Sequence, residues 1–166
     1  MKRIILYILL IFPFVVFSQS KTETILSQKL GPLNFMYFRS VDLGNKDTVI
    51  AIYIGFQNSE YNYVVDIKHI GITNKGDYQL LMKDLISVYK VLDAGQRVEM
   101  MSWDRAPLYV LGIYSWPLLR LEDGKPNGGY TYLKKNVLVN LIETMSQIEF
   151  GNESLLPKKS IADLLY

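Results

Sequence analysis

The sequence predicts an α+β protein: an antiparallel sheet of about six to seven strands with two main helices on one face. Three observations point there. Several short runs rich in Ile, Val, Tyr and Phe are separated by Asn, Gly and Pro. Two segments carry apolar residues at helical spacing. Each helical segment follows a run of strands instead of alternating with single strands, which favours antiparallel pairing over βαβ crossovers.

In chain order, residues 19–31 read as a polar lead-in, and "LNFMYFRS" then alternates in strand fashion. In "TVIAIYIGFQ" (48–57), Ile50, Ile52, Ile54 and Phe56 share one face while Val49, Ala51 and Tyr53 share the other, so this strand is expected to be central. "QNSEYN" turns the chain, and "YVVDIKHIGIT" (63–73) follows, with Val65, Ile67 and His69 on an apparently apolar face. The clearest helix is expected over 75–93. Asn74 or Thr73 caps it, Asp77 sits in its first turn, and Leu81, Leu85, Val88 and Leu92 form one stripe. Gly95 stands where a helix ends with positive φ.

The second half opens with "RVEMMSW" (97–103), turns at "DRAP" and resumes as "LYVLGIYSW" (108–116). "LLRLE" (118–122) and "YTYL" (130–133) flank "DGKPNGG". A second helix over about 136–149 gathers Val137 or Leu138, Leu141, Ile142, Met145 and Ile148, and "GNE" breaks it. Ser160 and Asp163 then sit at capping-box spacing ahead of a short amphipathic turn. "IGITNKGDYQLLMKDLISV" and "GGYTYLKKNVLVNLIETMSQ" share one plan of strand, polar turn and amphipathic helix. The chain thus reads as a pseudo-repeat of strands closed by a helix.

The first 18 residues have a different character. Lys2 and Arg3 precede an apolar run from Ile4 to Phe17, and Val16 and Ser18 occupy the −3 and −1 positions of a signal-peptidase site. A bilayer span takes about 20 residues, and this shorter run contains Pro13, so cleavage after Ser18 is expected and a retained membrane anchor is not. The expected organisation is a signal peptide (1–18), the lead-in (19–31), a single α+β domain (32–150) and a C-terminal segment (151–166). Periplasmic or secreted location follows.

Cleavage alters the charge. Removing 18 of 166 residues, two of them basic, leaves 148 residues with 16 basic and 16 acidic. Tandem strand–helix modules of some single-stranded nucleic-acid binders have a similar plan. A chain without net positive charge lacks the excess such binding requires, so nucleic acid is excluded as the expected partner. There is no cysteine, so stability must come from packing.

Little of the sequence looks like chemistry. "EDGKPNGG" places a lysine among glycines, but Pro126 and a following strand do not fit a phosphate loop, whose N–H groups lead into a helix. The turn residues fit a hairpin instead, with Gly128 and Gly129 easing re-entry into the sheet. His69 is the sole histidine and reads as structural. One His and no Cys argue against zinc, no acidic run suggests calcium, and no cofactor is expected. Asp66, Asp104, Glu122 and Asp123 lie in strands or strand ends and could form a glycosidase pair, although ordinary surface acids account for them.

The aromatic content is the strongest lead. Of 12 Tyr and 2 Trp, Trp103, Trp116, Tyr130 and Tyr132 are candidates for an exposed contact surface, because such residues combine large area with a polar tip. The expected function is therefore a non-catalytic binding or interaction module, whose partner is a protein or a small molecule such as a carbohydrate. The alternative is a small hydrolase using carboxylates. A third possibility is a subunit docking through a sheet edge or its C-terminal segment.

Overall fold

The computed structural model describes residues 20–166 except 45, 62, 96, 98, 99 and 151–154. The expected signal peptide and the "GNE" helix break lie outside the described residues. Among the described residues, eight strands and three helices follow one another as β1 (Ser20–Leu30), β2 (Leu33–Asp42), β3 (Thr48–Gln57), β4 (Ile67–Ile72), α1 (Lys75–Asp93), β5 (Met101–Arg105), β6 (Tyr109–Ser115), β7 (Leu118–Glu122), β8 (Tyr130–Leu133), α2 (Lys135–Met145) and α3 (Ile161–Leu165).

The single sheet expected from the sequence is two. β1-β2-β3-β4 form one antiparallel meander and β5-β6-β7-β8 another. The physical reason lies in the chain order. After β4 the chain leaves its sheet through the long helix α1, and β5 then pairs with β6 rather than with an edge of the first sheet. Each half is therefore four strands closed by a helix, as the sequence suggests for the second half but not for the first. The additional strand in the first half is β1, in the segment read as a polar lead-in. It pairs with β2 along its whole length, with a bulge at Ile25. Its residues are mostly exposed, so neither of its faces carries the apolar alternation that marks a half-buried strand.

The remaining elements follow their side-chain periods. Leu33, Phe35 and Tyr37 on β2, Ile52, Ile54 and Phe56 on β3, and Ile70 and Ile72 on β4 turn one face of the first sheet inward. Tyr109, Leu111, Ile113, Leu119, Leu121 and Leu133 do the same for the second. Both faces meet the stripes of α1 and α2 in one shared core. Burying each such aliphatic side chain contributes about 1.5–3 kcal/mol. Helix α1 begins where its cap requires: the Asn74 side chain accepts from the Asp77 N–H at 2.9 Å, and Gly95 beyond its end has φ +68°. Helix α2 stops at Met145, short of the expected 149. Ile148 is still buried in the core beyond the helix end, and its backbone forms an isolated antiparallel bridge to Leu155. The capping box of Ser160 and Asp163 opens α3.

His69 departs from its expected place. The inward residues of β4 are Ile70 and Ile72, which puts Ile67 and His69 on the solvent face. There the imidazole stacks on Tyr53, with ring centroids 5.3 Å apart.

Polar contacts tie the halves together. Asp84 on α1 is buried and accepts from Arg105 Nε at 2.8 Å and from the Tyr109 hydroxyl at 3.1 Å. Burial, with the Asp84 charge beside it, pushes the Tyr109 phenol well above its ordinary pKa. The Tyr78 hydroxyl donates to the Met145 carbonyl at 2.8 Å, and burial pushes its pKa up to about 12. Lys135 at the start of α2 meets Asp93 at the end of α1 at 2.6 Å.

Candidate functional site

The β7–β8 hairpin builds a developed surface feature among the described residues, and strand alternation dictates how. Leu119 and Leu121 point into the core, so Arg120 and Glu122 must point out. Register pairs Glu122 with Tyr130 and Arg120 with Tyr132, which puts both tyrosines on that same outer face. The Arg120 guanidinium lies 3.8 Å above the Tyr130 ring and 5.4 Å from that of Tyr114 on β6. Tyr132 meets Tyr130 edge-on at 5.5 Å. Gly112 makes this possible: the Tyr114 ring lies across it, and a Cβ there would clash with that ring. Arg120 is thus held as a flat donor between two aromatic planes, an arrangement guanidinium favours because it is weakly hydrated. Its Nε sits 3.0 Å from Glu122 Oε1 but has no hydrogen-bond partner among the described residues.

The loop 123–129 is a hairpin connection, as its residues require, and Gly124 and Asn127 carry its positive φ values of +67° and +57°. Gly128 and Gly129 do not have positive φ; they are glycine for lack of space. A Cβ on Gly128 would collide with Asp123 Oδ1, and one on Gly129 would stand 2.5 Å from Asn58 Cγ. The buried Asp123 carboxylate folds the loop by accepting from the Gly129 N–H at 3.1 Å and, more weakly, from the Lys125 N–H at 3.4 Å.

The hairpin also reaches the first sheet. Lys125 Nζ donates to the His69 carbonyl at 3.4 Å, and Lys68 Nζ donates to the Asn127 carbonyl at 3.5 Å. Asn58, which follows β3, is the joint between the sheets. It is 1% exposed, donates to Asp66 Oδ2 at 2.9 Å, and accepts from the N–H groups of Glu60 and Tyr130, each at 3.2 Å. The Ser59 N–H donates to the Tyr130 carbonyl at 2.7 Å. The Asn58 hydrogen bond, aided by Lys68, holds the Asp66 carboxyl below its ordinary pKa.

Between hairpin and seam lies a cleft of about 440 Å³, lined by Glu60, Arg120, Glu122, Asp123, Lys125 and Tyr130 among others. That size lies within the usual range of small-ligand sites. Of the sequence candidates, Tyr130 lines it and Tyr132 adjoins Tyr130. Trp103 and Trp116 pack against the core instead; Trp103 faces inward because its pairing partner Leu111 does. Of the four acids, Glu122 and Asp123 reach the cleft. Asp66 is engaged by Asn58 and Lys68, and Asp104 accepts from the Ala106 N–H in its own turn. Sequence reasoning passed over Arg120, Tyr114, Glu60 and Asn58. Alternation within "LLRLE" already carried the signal for Arg120, whereas Asn58 and Glu60 depend on how the halves dock.

Among the described residues no group of three or more His, Cys, Asp or Glu side chains could hold a metal ion, and no helix is long and apolar enough to cross a membrane. Comparison of the chain with protein-family models, curated proteins and solved structures gives no match.

Proposed function

We propose that this chain is an exported, non-catalytic binding module that takes a neutral, hydroxyl-rich ligand of the carbohydrate class in the cleft between the β7–β8 hairpin and the sheet seam. The observation that carries this reading is the Arg120 guanidinium clamped between Tyr114 and Tyr130 beside Glu122. Its support is the charge of the lining, in which two cations face three carboxylates. Arg120 and Glu122 neutralise each other, Glu60 and Lys125 carry opposite charges, and Asp123 directs an oxygen at backbone N–H groups. An anionic ligand would find no surplus positive charge there. A sugar hydroxyl both donates and accepts, so carboxylate, guanidinium, amine and amide groups all suit it, and a tyrosine flank suits the apolar face of a pyranose ring. Export rests on the layout of residues 1–18.

Glu60, Glu122 and Asp123 share the cleft, which keeps the hydrolase alternative in view. The engagement of Asp123 by N–H groups and of Glu122 by Arg120 speaks against free acid and base pairs. Isothermal titration of the mature chain with neutral mono- and oligosaccharides tests the reading. A saccharide should bind, and Tyr130→Ala should weaken it by about tenfold or more, the loss of one good contact. The reading fails if no neutral saccharide binds while inorganic phosphate stabilises the protein and Lys125→Ala removes that effect. Release of reducing ends from a bound saccharide would favour the hydrolase.

A further inference from the structure

The segment that forms one wall of the cleft has a second surface. Glu60 lines the cleft, while its neighbours Ser59 and Tyr61, with Gln57, Tyr63, Val64 and Val65, line a groove of about 370 Å³. The two depressions are separated by this single stretch of chain, which is tied down at Gln57, Asn58 and Ser59. Ser59 is bonded to the Tyr130 carbonyl, Asn58 is buried, and Gln57 Nε2 donates to the Val64 carbonyl at 3.0 Å. Among the described residues no charged side chain lines the groove. Its apolar members are strongly exposed: Tyr63 is 101%, Val65 82%, Val64 63% and Tyr61 49% exposed. Apolar side chains exposed side by side along a groove are open to contact with a ligand.

We infer that this groove is a second subsite for the same ligand, so the module binds an extended oligosaccharide chain lying across the Asn58–Tyr61 wall rather than a single sugar. The inference rests on the carbohydrate reading of the cleft. The two linings divide the work. The cleft offers carboxylate, guanidinium and amine groups that orient one ring through its hydroxyls. The groove offers tyrosine and valine surface for the apolar faces of following rings, with Gln57 and Ser59 for their hydroxyl edges. An uncharged lining fits a neutral chain. Covalent linkage between rings makes occupation of the groove intramolecular once the cleft is filled, so affinity should rise with chain length.

Calorimetry on the mature chain, with N-acetylglucosamine or glucose and their β-1,4-linked tri- and hexasaccharides as probes, tests this. The hexasaccharide should bind at least about tenfold more tightly than the monosaccharide, a modest gain for a linked second contact. The double variant Tyr61→Ala/Tyr63→Ala should erase that gain and leave monosaccharide affinity unchanged, whereas Tyr130→Ala should weaken every probe. Equal affinity for all lengths, or a gain that survives the double variant, overturns the second subsite but leaves the cleft reading intact. Binding by none of the probes overturns both. A concentration-dependent dimer in sedimentation velocity that dissolves in the double variant would assign the groove to a second copy of the chain, and would also overturn the inference.

Discussion

Gly129→Ala is the most informative single perturbation of the seam. The glycine is buried, and a methyl group there would stand 2.5 Å from Asn58 Cγ, 2.8 Å from Asn58 Nδ2 and 2.7 Å from Lys68 Cγ. Lys68 is a flexible chain and can swing aside. Asn58 cannot, because its amide is held by Asp66, Glu60 and Tyr130 at once. Overpacking of a tight site costs about 1–3 kcal/mol, and each hydrogen bond forfeited by a displaced amide adds about 1 kcal/mol. The expected loss is therefore roughly 2–4 kcal/mol, read from urea denaturation followed by tyrosine and tryptophan fluorescence. The control is the same change in an Asn58→Ala background. Asn58→Ala is itself costly, but it removes the obstruction, so the two changes together should cost less than their sum by about 1 kcal/mol or more. A Gly129→Ala loss within about 0.5 kcal/mol, or strict additivity with Asn58→Ala, would refute the packing argument.

Tyr109→Phe should cost about 1.5–3 kcal/mol, because it deletes a buried hydrogen bond to the Asp84 carboxylate; an unchanged urea midpoint would show that Arg105 alone satisfies Asp84. Lys125→Ala should change stability by no more than about 0.5 kcal/mol, since its long contact to the His69 carbonyl is at the surface. A larger loss in thermal melts would make that contact a structural tie. Acid should destabilise the fold. Hydrogen bonds from Arg39, Asn58, Lys135 and Ser160 hold the carboxyls of Glu23, Asp66, Asp93 and Asp163 below their ordinary values. Carboxyls depressed by folding stabilise it above the ordinary carboxylate range, and that contribution is lost as pH falls through their lowered values. Melting temperature should accordingly hold between about pH 7 and 5 and fall below about pH 4; equal melts at pH 3 and pH 7 would count against it.

How much of this was legible before the structure depended on whether a feature was local. Helix α1 was readable to its ends, because Asn74, the Leu81–Leu92 stripe and Gly95 are all local signals. The hairpin at 123–129 was readable for the same reason, though its glycines were misassigned. Gly124 and Asn127 take the left-handed conformations, and Gly129 yields room to a residue 71 positions away in the chain, which no turn rule can foresee. β1 was missed because a mostly exposed edge strand has no regular apolar period. The number of sheets was missed because pairing is a property of two segments, and nothing inside β5 states that its partner is β6. The tyrosine surface was half visible: spacing put Tyr130 and Tyr132 on one face, but only register shows Arg120 and Tyr114 beside them.

Every strand in both sheets is bonded to its neighbour in sequence, and each half of the molecule is one uninterrupted stretch of chain. A chain made from its N-terminus can therefore complete the first hydrogen-bond ladder while the second half is still being synthesised. It cannot complete the core, because Asp84 would lack Arg105 and Tyr109 and the joint at Asn58 would lack Tyr130. The early half is thus ordered but adhesive. The covalent connection to its sibling keeps the correct partner at high effective concentration, so the adhesive surface closes on that partner before it meets a neighbouring chain.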